Sequence, residues 1–162
     1  MNKFVSLAVV SALALGVAQA DDHTSYFAVG HKMMTLDFGA EDFDATGTQL
    51  TLGTRINDNM LIELNLATLA DIDTNIGDFE ATSTDLSLLY YPMNSGFFGR
   101  LGYSKSELEF GALIDEDEGS EILGIGYDIM MGESGAIRIE YTAAEYDDTD
   151  VDGFTISTGV RF

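Results

Sequence analysis

From Gly153 to Phe162 the chain alternates without a break: Phe154, Ile156, Thr158, Val160 and Phe162 share one face, and Thr155, Ser157, Gly159 and Arg161 share the other. A period of two is the mark of a β-strand with one apolar and one polar side. The period recurs along the chain and predicts eight strands, roughly Tyr26 to Leu36, Thr48 to Ile56, Met60 to Leu69, Thr82 to Tyr91, Phe97 to Phe110, Ile122 to Met130, Ala136 to Tyr146 and Gly153 to Phe162. It is clearest where Leu50, Leu52 and Ile56, or Leu123, Ile125, Tyr127 and Ile129, fall in phase. The alternates are polar or charged: Arg55, Glu63, Asp128, Arg138 and Glu140 among them.

Each of these segments has at least the roughly 9 to 11 residues that a tilted strand needs to cross a bilayer. Short turns follow the second, fourth and sixth strands, at Asn57 to Asn59, Pro92 to Gly96 and Met131 to Gly135. Longer connections follow the first, third, fifth and seventh. They are acidic, with Asp71, Asp73, Asp78 and Glu80 in one and Asp115 to Glu118 in another, and none holds Lys or Arg. An even strand count with short turns at one end and long loops at the other predicts an all-β, eight-stranded antiparallel transmembrane up-and-down barrel. Closure is required, because strands in lipid must satisfy every backbone N–H and C=O among themselves. Aromatics are expected at both rims, Tyr26, Phe27, Tyr90, Phe97 and Phe162 at the short-turn end and Phe79, Phe110, Tyr146 and Phe154 at the other. The competing arrangement is a soluble ligand-binding barrel of the same strand count, which would turn the apolar face inward.

Upstream of the strands, Met1 to Ala20 has a charged start at Lys3, an apolar run from Phe4 to Val17 and the small-residue ending Ala18, Gln19, Ala20. It reads as a secretory signal peptide cleaved after Ala20, leaving residues 21–162 as one barrel domain. The chain has no Cys, which removes disulfides, thiol catalysis and thiol-linked lipid. With 28 Asp plus Glu against 7 Lys plus Arg, its net charge of −21 argues against nucleic acid, whose phosphates it would repel.

The signal peptide, the eight amphipathic strands and the closing ISTGVRF with its final Phe162 resemble the small outer-membrane β-barrel family, which includes the OmpA-type and OmpX-type barrels. The resemblance implies a Gram-negative outer membrane with its lipid and lipopolysaccharide as surroundings. It implies periplasmic chaperones and the outer-membrane assembly machinery as partners in biogenesis, with Phe162 as part of the assembly signal. No Trp stands in the girdles, and no periplasmic domain is expected after the barrel, so the peptidoglycan binding of two-domain relatives is not implied.

The four arginines, Arg55, Arg100, Arg138 and Arg161, all fall at polar-face positions, as do Glu63, Asp85, Asp128 and Glu140. Eight strands enclose an interior just wide enough for side chains to fill. These eight charges are therefore expected to pair inside and plug the barrel, a narrow ion or solute path being the alternative. Asp148, Asp150, Asp152 and Gly153 match the first half of a calcium loop, but Gly159 stands where the bidentate Glu belongs. No EF-hand follows; weak divalent-cation binding by acidic loops is the residual reading. Some relatives that the chain resembles modify lipid A and need a positioned base at the outer rim. The histidines are His23, near the mature start, and His31, mid-strand where facing is ambiguous beside Lys32. The expectation is a structural or surface-interaction barrel with no catalytic residues, no cofactor and no metal.

Overall fold

The computed structural model describes residues 25–37, 42–74, 77–92, 95–110, 114–146 and 149–162, and their regular structure is β throughout. The strands are β1 (Ser25–Asp37), β2 (Asp42–Asn57), β3 (Met60–Thr74), β4 (Gly77–Tyr90), β5 (Phe97–Phe110), β6 (Ile114–Met131), β7 (Gly135–Tyr146) and β8 (Thr149–Arg161). Each pairs antiparallel with the next, and β8 returns to β1 from Tyr26↔Arg161 to Asp37↔Asp150, closing the barrel. Closure removes the free edges that an open sheet would present to lipid. The residues 21–24 of the expected mature start, including His23, lie outside the described residues, as does the whole of 1–20.

Strand alternation fixes which way each side chain points. Along β5, Phe98, Arg100, Ser104 and Ser106 are buried, while Phe97, Leu101 and Tyr103 are exposed. Burial is inverted relative to a water-soluble protein: Leu101 is 57% and Leu123 59% exposed, whereas Glu63 is 0% and Asp85 2%. The soluble alternative needs the opposite facing and is thereby set aside. On β1 the phase puts Lys32 inside and His31 outside. Tyr26 shares the phase of Lys32 and is buried, so it points into the lumen and is not part of the rim girdle expected of it. Phe27, Tyr90, Phe97, Phe154 and Phe162 do face outward. The side chains of Phe79, Phe110 and Tyr146 lie outside what is described. From Phe154 to Phe162 the strand rises about 27 Å at 3.4 Å per residue. A tilt of about 40° projects that to about 21 Å across the membrane, close to the apolar band of such barrels.

The long acidic loops of the sequence reading are mostly strand. β2 begins at Asp42, β4 at Gly77 and β6 at Ile114, each well before the apolar alternation starts. The backbone ladder gains hydrogen bonds regardless of side-chain polarity, so pairing runs past the membrane into solvent, where acidic side chains cost nothing to leave wet. Not all ladders run equally far. β2–β3 pairing stops at Thr48↔Thr68, and β6–β7 pairing stops at Ile122↔Ala144. By contrast β3–β4 continues to Thr74↔Gly77, β5–β6 to Phe110↔Ile114, β1–β2 to Asp37↔Asp42 and β7–β8 to Tyr146↔Thr149. Above the apolar band the barrel thus divides into two four-stranded sheets, β3–β6 and β7–β8–β1–β2. At the other end the turns are tight. Asp58 and Asn59 join β2 to β3, and Gly132 takes φ +72°, a left-handed conformation suited to Gly, in the turn before β7.

Candidate functional site: the charged barrel interior

Among the described residues, seven Lys, Arg, Asp and Glu side chains are buried in the lumen, Lys32, Glu63, Asp85, Arg100, Asp128, Arg138 and Glu140, each at an inward strand position. Glu63 on β3 is the hub. Its Oε2 accepts from Arg100 Nη2 at 2.5 Å, and its Oε1 accepts from Arg138 Nη1. Arg100 on β5 also binds Glu140 on β7 through Nε and, at 3.0 Å, through Nη2. Arg138 grips Asp128 with two parallel bonds, Nε to Oδ1 at 2.7 Å and Nη2 to Oδ2 at 3.1 Å. A bidentate guanidinium–carboxylate pair of this kind fixes orientation as well as charge. The chain of contacts runs Glu140, Arg100, Glu63, Arg138, Asp128, and all but its last link, between neighbours β7 and β6, join strands that are not adjacent in the sheet.

Aromatic side chains pack the same layer. Arg138 Cζ lies 4.5 Å from the Phe98 ring centroid and 5.1 Å from that of Tyr26, distances at which ring faces attract a cation. Its Nη groups donate to the Tyr26 and Tyr91 hydroxyls at 2.8 Å, and Tyr91 in turn donates to Asp128 at 2.9 Å. Buried Leu61 and Leu89 complete the layer. Facing glycines make room for the rings. A Cβ on Gly53, opposite Tyr26, would stand 2.1 Å from that ring, and one on Gly126, opposite Phe98, 2.4 Å from that ring. Large-against-small pairing across a rung is how eight strands accommodate aromatics inside.

Of the eight charges expected to pair inside, Arg161 and Arg55 differ from the rest. Arg161 is half-buried at the short-turn mouth and reaches Asp128 at 3.5 Å. Arg55 does not join the network; it donates to the Asp58 carbonyl at 3.1 Å beside a mouth cavity of about 290 Å³. It stands two residues before β2 ends at Asn57 and lines that cavity together with Tyr91, Asp128 and Arg161. Asp85 sits above the layer and accepts from Ser104 at 2.6 Å. Lys32, which sequence reasoning left unassigned, shares this level with Asp85 and Glu140, yet among the described residues no ion pair ties it to a carboxylate. The upper lumen is lined by small polar groups. Gln49, Thr51 and Asn65 bond one another, while Ser83 Oγ, Ser87 Oγ and Arg100 Nη1 are buried without a partner.

The acidic half-motif does not assemble a cation site. Asp150 and Asp152 stand two residues apart on paired β8, which directs them the same way and about 7 Å apart instead of converging on one point. Asp148 lies outside the described residues, and among those described no group of three or more His, Asp or Glu could hold a metal. His31 faces outward, between Thr48 and Ile156 of the adjoining strands, away from the charged groups in the lumen.

The facing, the closure and the charged interior define an integral outer-membrane barrel. Residues 5–162 match the model of the outer membrane protein beta-barrel domain family, and the chain belongs to that family. Its place is the outer membrane of Gram-negative cells, with short turns on the periplasmic side. Among solved structures, Ail of Yersinia pestis, in complex with the heparin analogue sucrose octasulfate, is similar with TM-score 0.66 and 17% identity, over 85% of this chain and 97% of that one. OprG of Pseudomonas aeruginosa gives 0.62 and 16%, over 86% and 96%. Neisserial surface protein A gives 0.60 and 17%, over 85% and 95%. At such identities the likeness is one of fold. No curated protein matches the chain.

Proposed function

We propose that this barrel is a structural or surface-interaction protein of the outer membrane whose lumen is sealed near its periplasmic end. The observation that carries this is Glu63, wholly buried and bound by both Arg100 and Arg138, with Phe98 and Tyr26 stacked on the second guanidinium. Passage of an ion would require separating guanidinium and carboxylate groups that have no water to replace their partners. The membrane-facing surface meets lipid and, in the outer leaflet, lipopolysaccharide.

Under the same reading the chain is exported by cleavage after Ala20, escorted by periplasmic chaperones and inserted by the assembly machinery through a signal that includes Phe162. The extracellular strand extensions carry the acidic residues, which disfavours a polyanion such as the one bound to Ail and favours cationic surface partners, divalent cations included.

A narrow channel is the second reading, favoured by the unpartnered Ser83, Ser87 and Arg100 Nη1 atoms and by unpaired Lys32, which mark an upper lumen fit for water. Planar-bilayer recording of refolded protein separates the two. The sealed barrel gives no unitary steps, whereas regular steps of uniform size would establish the channel.

A further inference from the structure

Below the charged layer, at the short-turn end, the lumen opens into the cavity of about 290 Å³ beside Arg55. Its floor is buried Tyr91 and Asp128, and Arg55, Asp58, Met130 and Arg161 stand around it, all less buried. The floor is already saturated. Both Asp128 oxygens accept from Arg138, and Oδ2 accepts from the Tyr91 hydroxyl as well. The two arginines at the rim are not. Arg161 reaches Asp128 at 3.5 Å, the outer limit of a hydrogen bond and the fourth contact on that carboxylate. Arg55 donates to a neutral group, the Asp58 carbonyl, and among the described residues no carboxylate pairs with it. β2 and β8 flank β1, so the two arginines start from backbones two strand spacings, roughly 10 Å, apart, and both side chains reach the cavity. With Asp128 held by Arg138, the arginines of the lining outnumber its remaining carboxylate, Asp58, by two to one.

We propose that this vestibule binds a small monocarboxylic acid with a short apolar body, entering from the periplasm. Three features choose that ligand. A guanidinium grips a carboxylate with two parallel N–H bonds, and here two guanidiniums face one cavity with most of their donors uncommitted. The single positive excess of the lining is met by one carboxylate, whereas a phosphate dianion would bring a second negative charge toward Asp58 and Asp128. Met130 and the Tyr91 ring then offer apolar surface to the remainder of the molecule. Arg55 is the residue this reading explains best. It lies at an inward strand position, takes no part in the buried network, and has its guanidinium at the one mouth of the lumen where the surrounding charge is not acidic.

The test uses the refolded chain from Asp21 to Phe162 in phosphatidylcholine nanodiscs, with methionine methyls labelled for NMR and the Met130 signal assigned through Met130→Leu. Isovalerate, its uncharged amide and inorganic phosphate are added at constant ionic strength. Isovalerate is expected to shift the Met130 methyl saturably, and isovaleramide to leave it unmoved. Arg55→Gln should weaken the binding by roughly fivefold, as loss of one partly exposed ion pair predicts, and Arg55→Lys, which keeps the charge but not the fork, should weaken it less. Asp58→Asn should tighten it, a direction that a purely structural role for this turn residue does not produce. No saturable shift with isovalerate, or an equal one with its amide, would overturn the proposal. Saturation by phosphate at lower concentration than isovalerate would reassign the cavity to phosphorylated ligands. Saturation by isovalerate only after Asp21→Asn with Asp22→Asn would make the chain's own amino-terminal segment the occupant; either result also overturns it.

Discussion

Replacing Glu63 by Gln is the sharpest perturbation of the buried network. The carboxylate accepts from Arg100 through one oxygen and from Arg138 through the other, at 0% exposure. Gln keeps one acceptor but turns an NH₂ group on the other guanidinium, and leaves the layer with one positive charge unmatched. Asp128 and Glu140 still hold their own arginines, so the loss is that of one shared partner and not of the whole layer. Breaking a buried pair by removing one member costs about 3 to 5 kcal/mol, because the remaining charge stays desolvated. The variant should therefore refold in detergent but unfold earlier in urea, followed by the heat-modifiable mobility of the folded barrel on gels. Pairing it with Arg138→Met, which removes the excess charge, should cost less than the two single losses added together. A Glu63→Gln loss below about 1 kcal/mol, within the range of exposed ion pairs, would refute the picture of a desolvated hub.

Other expectations follow from single contacts. Ile139→Arg places a charge against lipid near mid-band and should lower stability by about 2 to 4 kcal/mol in lipid refolding titrations. Phe98→Ala removes the ring 4.5 Å from the Arg138 guanidinium and should cost about 3 to 5 kcal/mol by urea titration, while raising bilayer conductance above that of the parent. Gly126→Val drives a side chain into the Phe98 ring and should destabilise by about 1 to 3 kcal/mol; combined with Phe98→Ala, the two losses should be less than additive in the same titration. Deleting Phe162 should lower the amount assembled in cells much more than it lowers the unfolding midpoint, and equal effects on both would argue against an assembly role.

The strand count, the facing and the tight turns were legible because one physical rule, alternation against lipid, acts locally on every strand. The Asp128–Arg138 pair was legible too, since the two residues are opposed across the β6–β7 hairpin. Arg100 reaching Glu63 and Glu140 was not: those strands lie two away on either side, and only closure of the barrel brings them across the lumen. Tyr26 read as a rim aromatic because aromatics are common at interfaces, although its phase with Lys32 pointed inward. The acidic segments read as loops because composition reports solvent contact, not backbone pairing. Nor did any local pattern mark where the β6–β7 ladder would end, since that depends on how far two separate hairpins extend.

An outer-membrane barrel requires the apolar strand face to meet lipid. Nitroxide labels at Leu101, Ile125 and Ile139, three outward positions on β5, β6 and β7, measure this directly in refolded protein in phosphatidylcholine vesicles. Relaxation by oxygen, which concentrates in hydrocarbon, should be strong at all three, and relaxation by a water-soluble nickel chelate weak. Strong nickel relaxation at all three sites, or recovery of the parent as a monomer in water without detergent, would contradict the membrane-facing barrel.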